Sequence, residues 1–311
     1  MAEINSPHIP VLLAETIEAL SLCEGQTIID CTAGFGGHSS QILKKIGPTG
    51  TLICIDKDPV ALAFLKNRFK EYKNVEYFHD TFDHIDEALN GRKADAILAD
   101  IGISSLQYDE ADRGFSYRYD APLDMRFDQT ADQITAKHIV NTFSAEQLAD
   151  IFRRYSDEKY AMPIAKNIVR YRQKKQIETT FELVDIIKSS MPAAAMRKGH
   201  PAKGVFQALR VCVNSEMEIL EAAIPVMFDC LKVGGTLSII SFNSCDTRCV
   251  KLAYRELCKG CQCPTASPVC TCGITPRAKL KHKPISASDV EIAQNNRSRT
   301  AQLRSIVKIK D

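Results

Sequence analysis

Ile28-Ile-Asp-Cys-Thr-Ala-Gly-Phe-Gly-Gly-His38 reads as a strand, a turn and the start of a helix. Thr27 to Cys31 is short, apolar and β-branched. Gly34, Gly36 and Gly37 release the backbone for a tight turn, and Ser39-Ser-Gln-Ile-Leu-Lys-Lys-Ile46 opens an amphipathic helix. An arrangement of this kind binds nucleotides, because glycines admit a ligand close to the main chain and N–H groups at the helix start point toward it.

Charge discriminates among the ligands. Asp30 closes the strand, so its carboxylate faces the ligand across the turn. It would repel a dinucleotide pyrophosphate and attract S-adenosylmethionine (SAM), whose amino group and sulfonium are both cationic. A second strand, Thr51-Leu-Ile-Cys-Ile-Asp56, ends in an acid about 20 residues past the glycines, the position from which a carboxylate holds a ribose diol.

Along the chain, Val11–Leu20 has helical spacing. Asp58-Pro59 starts a helix running to Lys70, Val75–His79 is a third strand, and Ala94-Asp-Ala-Ile-Leu-Ala-Asp100 is a fourth. Strands alternating with helices predict a mostly parallel α/β sheet with Asp30, Asp56, Phe82 and Asp100 on its C-terminal edge. From Ser104 to about Arg210 no apolar strand is visible, but Ala145–Tyr155, Ala161–Lys174 and Phe181–Ser190 have helical spacing. A helix over Ser215–Leu231, ended by Gly234-Gly235, and a strand over Thr236–Phe242 resume the sheet. The expected organisation is a discontinuous α/β domain, 1–103 with 211–311, carrying an inserted helical substrate domain, 104–210.

Composition suits a folded soluble chain: 45% hydrophobic and 25% charged residues give no sign of disorder. No apolar run approaches a membrane span and no secretory leader is apparent, so the expectation is a cytoplasmic protein with no membrane partner. The net charge of +2 is unevenly spread. Residues 1–103 carry 9 basic and 15 acidic groups, 104–209 carry 16 and 14, and 210–311 carry 15 and 9. The late excess of cations suits a polyanionic partner, and Lys279, Lys281, His282, Lys283, Arg297, Arg299 and Arg304 read as a basic tail for RNA. Twelve cysteines read as reduced thiols. Cys258, Cys261, Cys263, Cys270 and Cys272 cluster at short spacing. That raises a zinc site, but the pattern is not a paired Cys-x2-Cys knuckle, and the expectation is a loop of reduced cysteines with no metal.

Several ordered motifs carry a family resemblance: Asp30-Cys-Thr-Ala-Gly-Phe-Gly-Gly-His-Ser39, Ile55-Asp-Lys-Asp-Pro59, Asp100-Ile-Gly-Ile-Ser-Ser-Leu-Gln107, Arg113-Gly-Phe-Ser116, Ala121-Pro-Leu-Asp-Met-Arg126, His200-Pro-Ala, Phe206-Gln-Ala-Leu-Arg-Val and Arg297-Ser-Arg-Thr-Ala. From about His8 to Leu303 the chain resembles the bacterial RsmH (MraW) family. That resemblance implies a class I SAM-dependent methyltransferase fold, Rossmann-like, and methyl transfer to the N4 amino group of a cytosine in the decoding region of small-subunit ribosomal RNA, within the assembled small subunit. It implies cofactor contacts from Gly36, Gly37, His38, Asp56, Phe82, Asp100 and Gln107, to which the charge argument adds Asp30.

Asp100 is the candidate catalytic group, an acceptor at the target amine or a contact to the cofactor. Amino-group methyltransferases often have Asp/Asn-Pro-Pro-aromatic at this point, whereas this chain reads Asp100-Ile-Gly-Ile. Arg113, Phe115, Asp124 and Arg126, in a loop that also holds Tyr117, Arg118 and Tyr119, suit a flipped base that needs stacking faces and edge partners. Arg153, Arg154, Lys166, Arg170, Arg172, Lys174 and Lys175 are candidate phosphate contacts. The chain departs from the family at Ser241-Phe-Asn-Ser-Cys-Asp-Thr-Arg248, where Asn243 stands for a usual histidine, and at Leu106 and Asn296, which stand for prolines. The alternatives are a SAM methyltransferase on another base, RNA or protein, and a non-catalytic SAM-binding ribosome-assembly factor.

Overall fold

A computed structural model of the chain describes residues 10–102, 111–197, 199–263 and 269–311. It divides into two compact units, Met1–Gly102 with Ile219–Asp311, and Ile103–Glu218. The second boundary falls within a helix rather than at the expected 210/211.

The first unit starts with α1 (Leu13–Leu20), β1 (Thr27–Asp30), α2 (Gly37–Ile46), β2 (Thr51–Asp56), α3 (Pro59–Arg68), β3 (Val75–His79), α4 (Ile85–Leu89) and β4 (Ala94–Asp100). Local chemistry sets these limits. Pro59 occupies the first turn of α3, and the Asp58 carboxylate caps it by accepting from Val60 N at 2.9 Å.

The second unit is helical: α5 (Ala136–Thr142), α6 (Ala145–Ser156), α7 (Ala161–Arg172), α8 (Thr180–Ser189), α9 (Ala193–Met196) and α10 (Lys203–Val213). Capping boxes formed by Ser144 with Gln147 and by Thr179 with Glu182 start α6 and α8. Phe152, Ile164, Ile168, Leu183, Ile187 and Leu209 are fully buried and give this unit a core of its own.

The chain re-enters the first unit through α11 (Glu216–Cys230) and continues as β5 (Leu231–Ser241), α12 (Ser244–Leu257), β6 (Ala278–Leu280), β7 (Ile285–Ser286), α13 (Asp289–Gln294) and β8 (Gln302–Lys308). The sheet order is β3-β2-β1-β4-β5-β8-β6, with β7 also on β8. β1 to β5 are mutually parallel where they pair, and β8 runs antiparallel to β5, β6 and β7. The fold is therefore the class I methyltransferase α/β sheet that the resemblance implies. Ile28, Ile29, Leu52, Ile55, Ile97, Leu98, Ile239 and Ile240 are buried, as strands covered on both faces require.

Two expectations are corrected. Gly234 and Gly235 do not end a helix. They lie inside β5, where the register to β4 shifts between Ala94 and Ala96. A Cβ on Gly235 would lie 3.0 Å from the Asp95 carbonyl oxygen, so this glycine permits the close approach of two strands. Nor is the basic segment after residue 278 a tail, because β6, β7 and β8 complete the sheet. Lys281 donates to Ser21 Oγ at 2.7 Å and Thr236 Oγ1 at 3.2 Å. Lys308 is buried and donates to the Leu231 carbonyl at 3.0 Å.

Gly36 has a left-handed φ of +79°, and a Cβ there would lie 2.7 Å from Leu65 Cδ2 and 2.8 Å from Phe69 Cζ. Gly36→Ala should lower the unfolding free energy by about 2–4 kcal/mol, combining the left-handed penalty with core overpacking. Urea denaturation reads this directly. An unchanged midpoint would mean that Leu65 and Phe69 yield without cost.

Candidate active site

Because β2, β1 and β4 are adjacent and parallel, the acids that end them share one edge. Asp30 is buried. Ser39 Oγ, on the first turn of α2, donates to its Oδ2 at 2.6 Å, and Thr32 N donates to its Oδ1 at 3.3 Å. Asp56 accepts from Gly34 N at 2.7 Å and from Asp58 N at 2.8 Å. The turn after β1 is thus tied to the end of β2 by an amide–carboxylate bond. Asp100 N donates to Thr32 Oγ1 at 2.6 Å. Its Oδ1 is shielded from solvent and accepts no hydrogen bond from the described residues.

Burial raises all three acids above the ordinary carboxylate range. Asp30 rises to about 6, opposed by the Ser39 and Thr32 hydrogen bonds. Asp56 also rises to about 6, opposed by the Asp58 and Gly34 amides. Asp100 rises to about 7, with the charge of Asp30 adding to the effect of burial. The Asp100 side chain keeps 23% of its surface in contact with solvent, which moderates its desolvation. The three groups form a concentration of incipient negative charge without a paired arginine or lysine among the described residues. Such a site receives a cation.

His38 is buried at the start of α2. Its Nε2 lies 3.1 Å from the Val11 carbonyl oxygen and its Nδ1 3.8 Å from Asp100 Oδ2. It links the segment before α1 to the end of β4. Phe82 is half-buried in a single 3-10 turn (Phe82–His84) just past β3. Gln107 lies outside the described residues. Two of the glycines also meet a packing need that the sequence does not show. The space where the Gly36 side chain would be faces Leu65 and Phe69, and a Cβ on Gly37 would lie 2.4 Å from Pro10 Cγ. Their missing side chains make room for neighbouring protein groups, a packing need that comes in addition to any approach of the main chain to a ligand.

The sequence marks Asn243 only as a departure from the family and does not show what it does. Asn243 caps α12, its Oδ1 accepting from Asp246 N at 2.9 Å while its Nδ2 donates to Asp246 Oδ2 at 2.5 Å. Asp246 is buried in the first turn of α12, the helix that follows the strand paired with Asp100 through Ile240. The altered Ser241–Arg248 motif was the only available signal. Asparagine there does the work of a helix cap and keeps the acid in place.

In the second unit, considered by itself, Arg113 and Phe115 are corrected from substrate contacts to internal braces. Both are buried. Arg113 Nη2 donates to the carbonyls of Phe127 at 2.5 Å and Arg126 at 3.2 Å. Phe115 stacks on Phe127 with centroids 5.6 Å apart. Asp124 and Arg126 pair with each other through two hydrogen bonds of 2.9 and 2.8 Å, which holds the Asp124 carboxyl below its usual range. Side chains this deep offer a base no stacking face.

The exposed part of the same loop differs. Tyr117 stacks on His200 at 4.1 Å with a 12° interplanar angle, Arg118 is exposed, and Tyr119 is 51% exposed. Burial and the neighbouring Lys188 and Arg118 push the His200 pKa down. Of the candidate phosphate contacts, Arg154 pairs with Glu218, Arg172 donates to the Val140 carbonyl and Lys175 pairs with Glu182. Arg153, Lys166 and Lys174 are exposed.

Comparison with known proteins agrees with this architecture. The MraW methylase family matches residues 5–309. A protein of Clostridium botulinum (strain Loch Maree / Type A3), named ribosomal RNA small subunit methyltransferase H, is 47% identical over 306 residues, covering 97% of this chain and 99% of its own. Proteins of the same name from Symbiobacterium thermophilum and Finegoldia magna are each 45% identical and cover 97% of this chain. The chain in turn covers 96% and 98% of their lengths. With this likeness running through both units and the acidic strand ends intact, the chain belongs to the MraW methylase family and uses SAM as its methyl donor.

Proposed function

We propose that this chain methylates the N4 amino group of a cytosine in the decoding region of small-subunit ribosomal RNA, acting on the assembled small subunit in the cytoplasm. The observation that carries the chemistry is the trio of raised carboxylates at one sheet edge, with a shielded Asp100 oxygen left over for a ligand. The names of the three relatives support ribosomal RNA as substrate, and the resemblance in the motifs supports the base, the atom and the region.

The residues fit the donor. When bound, SAM supplies an electrophilic methyl on a sulfonium, and a second cation in its amino group. In this reading Asp30 and Asp100 provide the field that receives those charges. Asp56 accepts from the ribose hydroxyls, Phe82 borders the adenine, and His38 with the backbone of Gly36 and Gly37 shapes the turn beneath. The target amine is a poor nucleophile because its lone pair is delocalised into the base. Asp100 accepts a hydrogen bond from that amine and draws the nitrogen toward tetrahedral geometry as the nitrogen–carbon bond forms and the carbon–sulfur bond breaks. A carboxylate with a pKa near 7 is suited to receive the amine proton near neutrality. Positioning supplies the larger share of the rate, about 7–11 kcal/mol against roughly 10²–10⁴-fold from proton handling. On the second unit, Tyr117, Arg118 and Tyr119 take the stacking and phosphate role that Arg113 and Phe115 are too buried to fill.

The direct test is transfer of labelled methyl from SAM to small subunits from a strain lacking this gene, with mass spectrometry of the released nucleosides. N4-methylated cytidine is expected. SAM binding with no transfer to subunits would favour another target or a non-catalytic role.

Three further outcomes follow from the site. SAM affinity should weaken as pH falls from 8 through the region of 6 to 7, because protonation removes the charges that receive the cation. Calorimetry that found a flat affinity would remove those charges from the mechanism. The same raised values mean that the folded chain binds more protons than the unfolded one between pH of about 4 and 7. The trio therefore costs the ligand-free protein stability as pH rises through that window. Asp100→Asn should accordingly raise ligand-free stability at pH 7.5 by about 1–2 kcal/mol, while weakening SAM about tenfold or more. A variant that lost both stability and binding would refute this assignment of the acid. Tyr119→Ala should lower kcat/KM on subunits about tenfold, the value of one stacked base, with SAM affinity unchanged. Wild-type kinetics would take Tyr119 off the substrate surface.

A further inference from the structure

Between α12 and β6 the chain runs from 258 to 277 with no helix or strand among its described residues. The two ends of this segment meet, since Arg277 N donates to the Leu257 carbonyl at 3.0 Å. A closed loop of this length ordinarily packs its own apolar side chains. Among the described residues of the loop, Val269 is 69% and Ile274 37% exposed. These two side chains give the loop little hydrophobic burial of its own.

Four sulfurs converge inside it. The Sγ atoms of Cys261, Cys263, Cys270 and Cys272 all lie within 4.8 Å of one another. Cys261 is 3.3 Å from Cys270 and 3.7 Å from Cys272, and Cys270 is 3.6 Å from Cys272 and 3.9 Å from Cys263. None of these is a disulfide, whose sulfurs sit about 2.05 Å apart. They match the edges of a tetrahedron of sulfurs around zinc, about 3.8 Å for zinc–sulfur bonds of ~2.3 Å. Backbone amides are aimed at the sulfurs as well. Cys263 N donates to Cys261 Sγ at 3.4 Å, Gln262 N to Cys272 Sγ at 3.4 Å, and Thr271 N to Cys263 Sγ at 3.2 Å. N–H donors of this kind stabilise thiolates and orient them toward a metal.

We propose that Cys261, Cys263, Cys270 and Cys272 bind a single zinc ion as a structural tetrathiolate site that folds the loop between α12 and β6. The ligands come as two Cys-x-Cys pairs rather than as Cys-x2-Cys knuckles, a spacing that does not by itself show that the four sulfurs converge. Cys258 is left out of the set because its sulfur is not among the four that converge. It forms the C-cap of α12, its amide donating to the Tyr254 carbonyl at 3.0 Å. Four thiolates on one tetrahedral centre suit zinc or a single iron. Zinc is redox-inert and is the better match for a site whose Cys261 and Cys270 are exposed. A multi-iron cluster would hold its thiolates on different irons and spread them further apart. The site lies apart from the methyl-transfer chemistry in sequence and supports the strands that follow it, since β6 starts at the loop's end.

The test uses the full-length chain purified anaerobically with a reductant, with metals measured by plasma mass spectrometry. The expected result is about one zinc per chain. Cys270→Ser and Cys272→Ser should reduce this to less than about a tenth, with Cys258→Ser unchanged. X-ray absorption at the zinc edge should show four sulfur neighbours at about 2.3 Å. Should the serine variants fold poorly, chelation of the wild-type chain followed by hydrogen exchange provides the second measurement. Residues 259–280 should lose protection and the second unit should keep it. The proposal is overturned if the reduced chain offered equimolar zinc binds none, if it holds iron instead, or if the four cysteines are recovered as disulfides. It is also overturned if Cys258→Ser loses the metal as Cys270→Ser does, or if chelation leaves the loop's protection unchanged.

Discussion

Asp30, Asp56 and Asp100 end three neighbouring parallel strands, so the sheet that makes the fold also forces like charges toward one another. The protein moderates this repulsion without neutralising it. A hydroxyl and an amide support Asp30, two amides support Asp56, and His38 stands near Asp100. No arginine or lysine joins them among the described residues. A carboxylate left in this condition stabilises the ligand-free chain poorly and a bound cation well, and the turn, the helix start and the segment before α1 are all arranged to hold that condition. Pairing Asp100 with a lysine would make a more stable protein with no reason to bind a sulfonium.

Much of the first unit was legible because its patterns are local. β3 and β4 fall where the apolar runs place them. Capping residues, prolines and acids at strand ends mark α3 and the cofactor edge. β5 was expected to start five residues late, at Thr236 instead of Leu231, because Gly234-Gly235 resembles a helix stop, and only the neighbouring strand reveals why two glycines lie inside a strand. β6 and β8 were read as a basic tail. Lys279 and Arg304 alternate with apolar residues along strands, and a count of charge does not register that alternation.

The candidate site divides along the same line. Residue type and place in the strand pattern identify Asp30, Asp56 and Asp100, since strand ends are fixed by the backbone. The loop from Arg113 to Phe127 shows the opposite. Its arginines and aromatics have the composition of an RNA surface, but the bonds from Arg113 to two carbonyls and the Phe115–Phe127 stack turn half of them inward. Tyr119, in the same run, points out. Composition cannot separate these residues, because burial of a loop side chain is decided by partners such as Asn214, which lies far along the chain and accepts from Phe127 N at 2.8 Å.

The position of β8 has a consequence for biosynthesis. It lies between β5 and β6, paired with residues 236–241, and comes from residues 302–308, after every other strand of the sheet. The helical second unit is one continuous segment, Ile103–Glu218, with all its core residues available once that segment has emerged. The first unit begins earlier yet closes last, because β5 has an open edge until residue 308 is released. The helical segment therefore has all its parts before the sheet that begins ahead of it can close. The half-built sheet, with an unpaired hydrophobic edge, is the species most exposed to misassociation during synthesis.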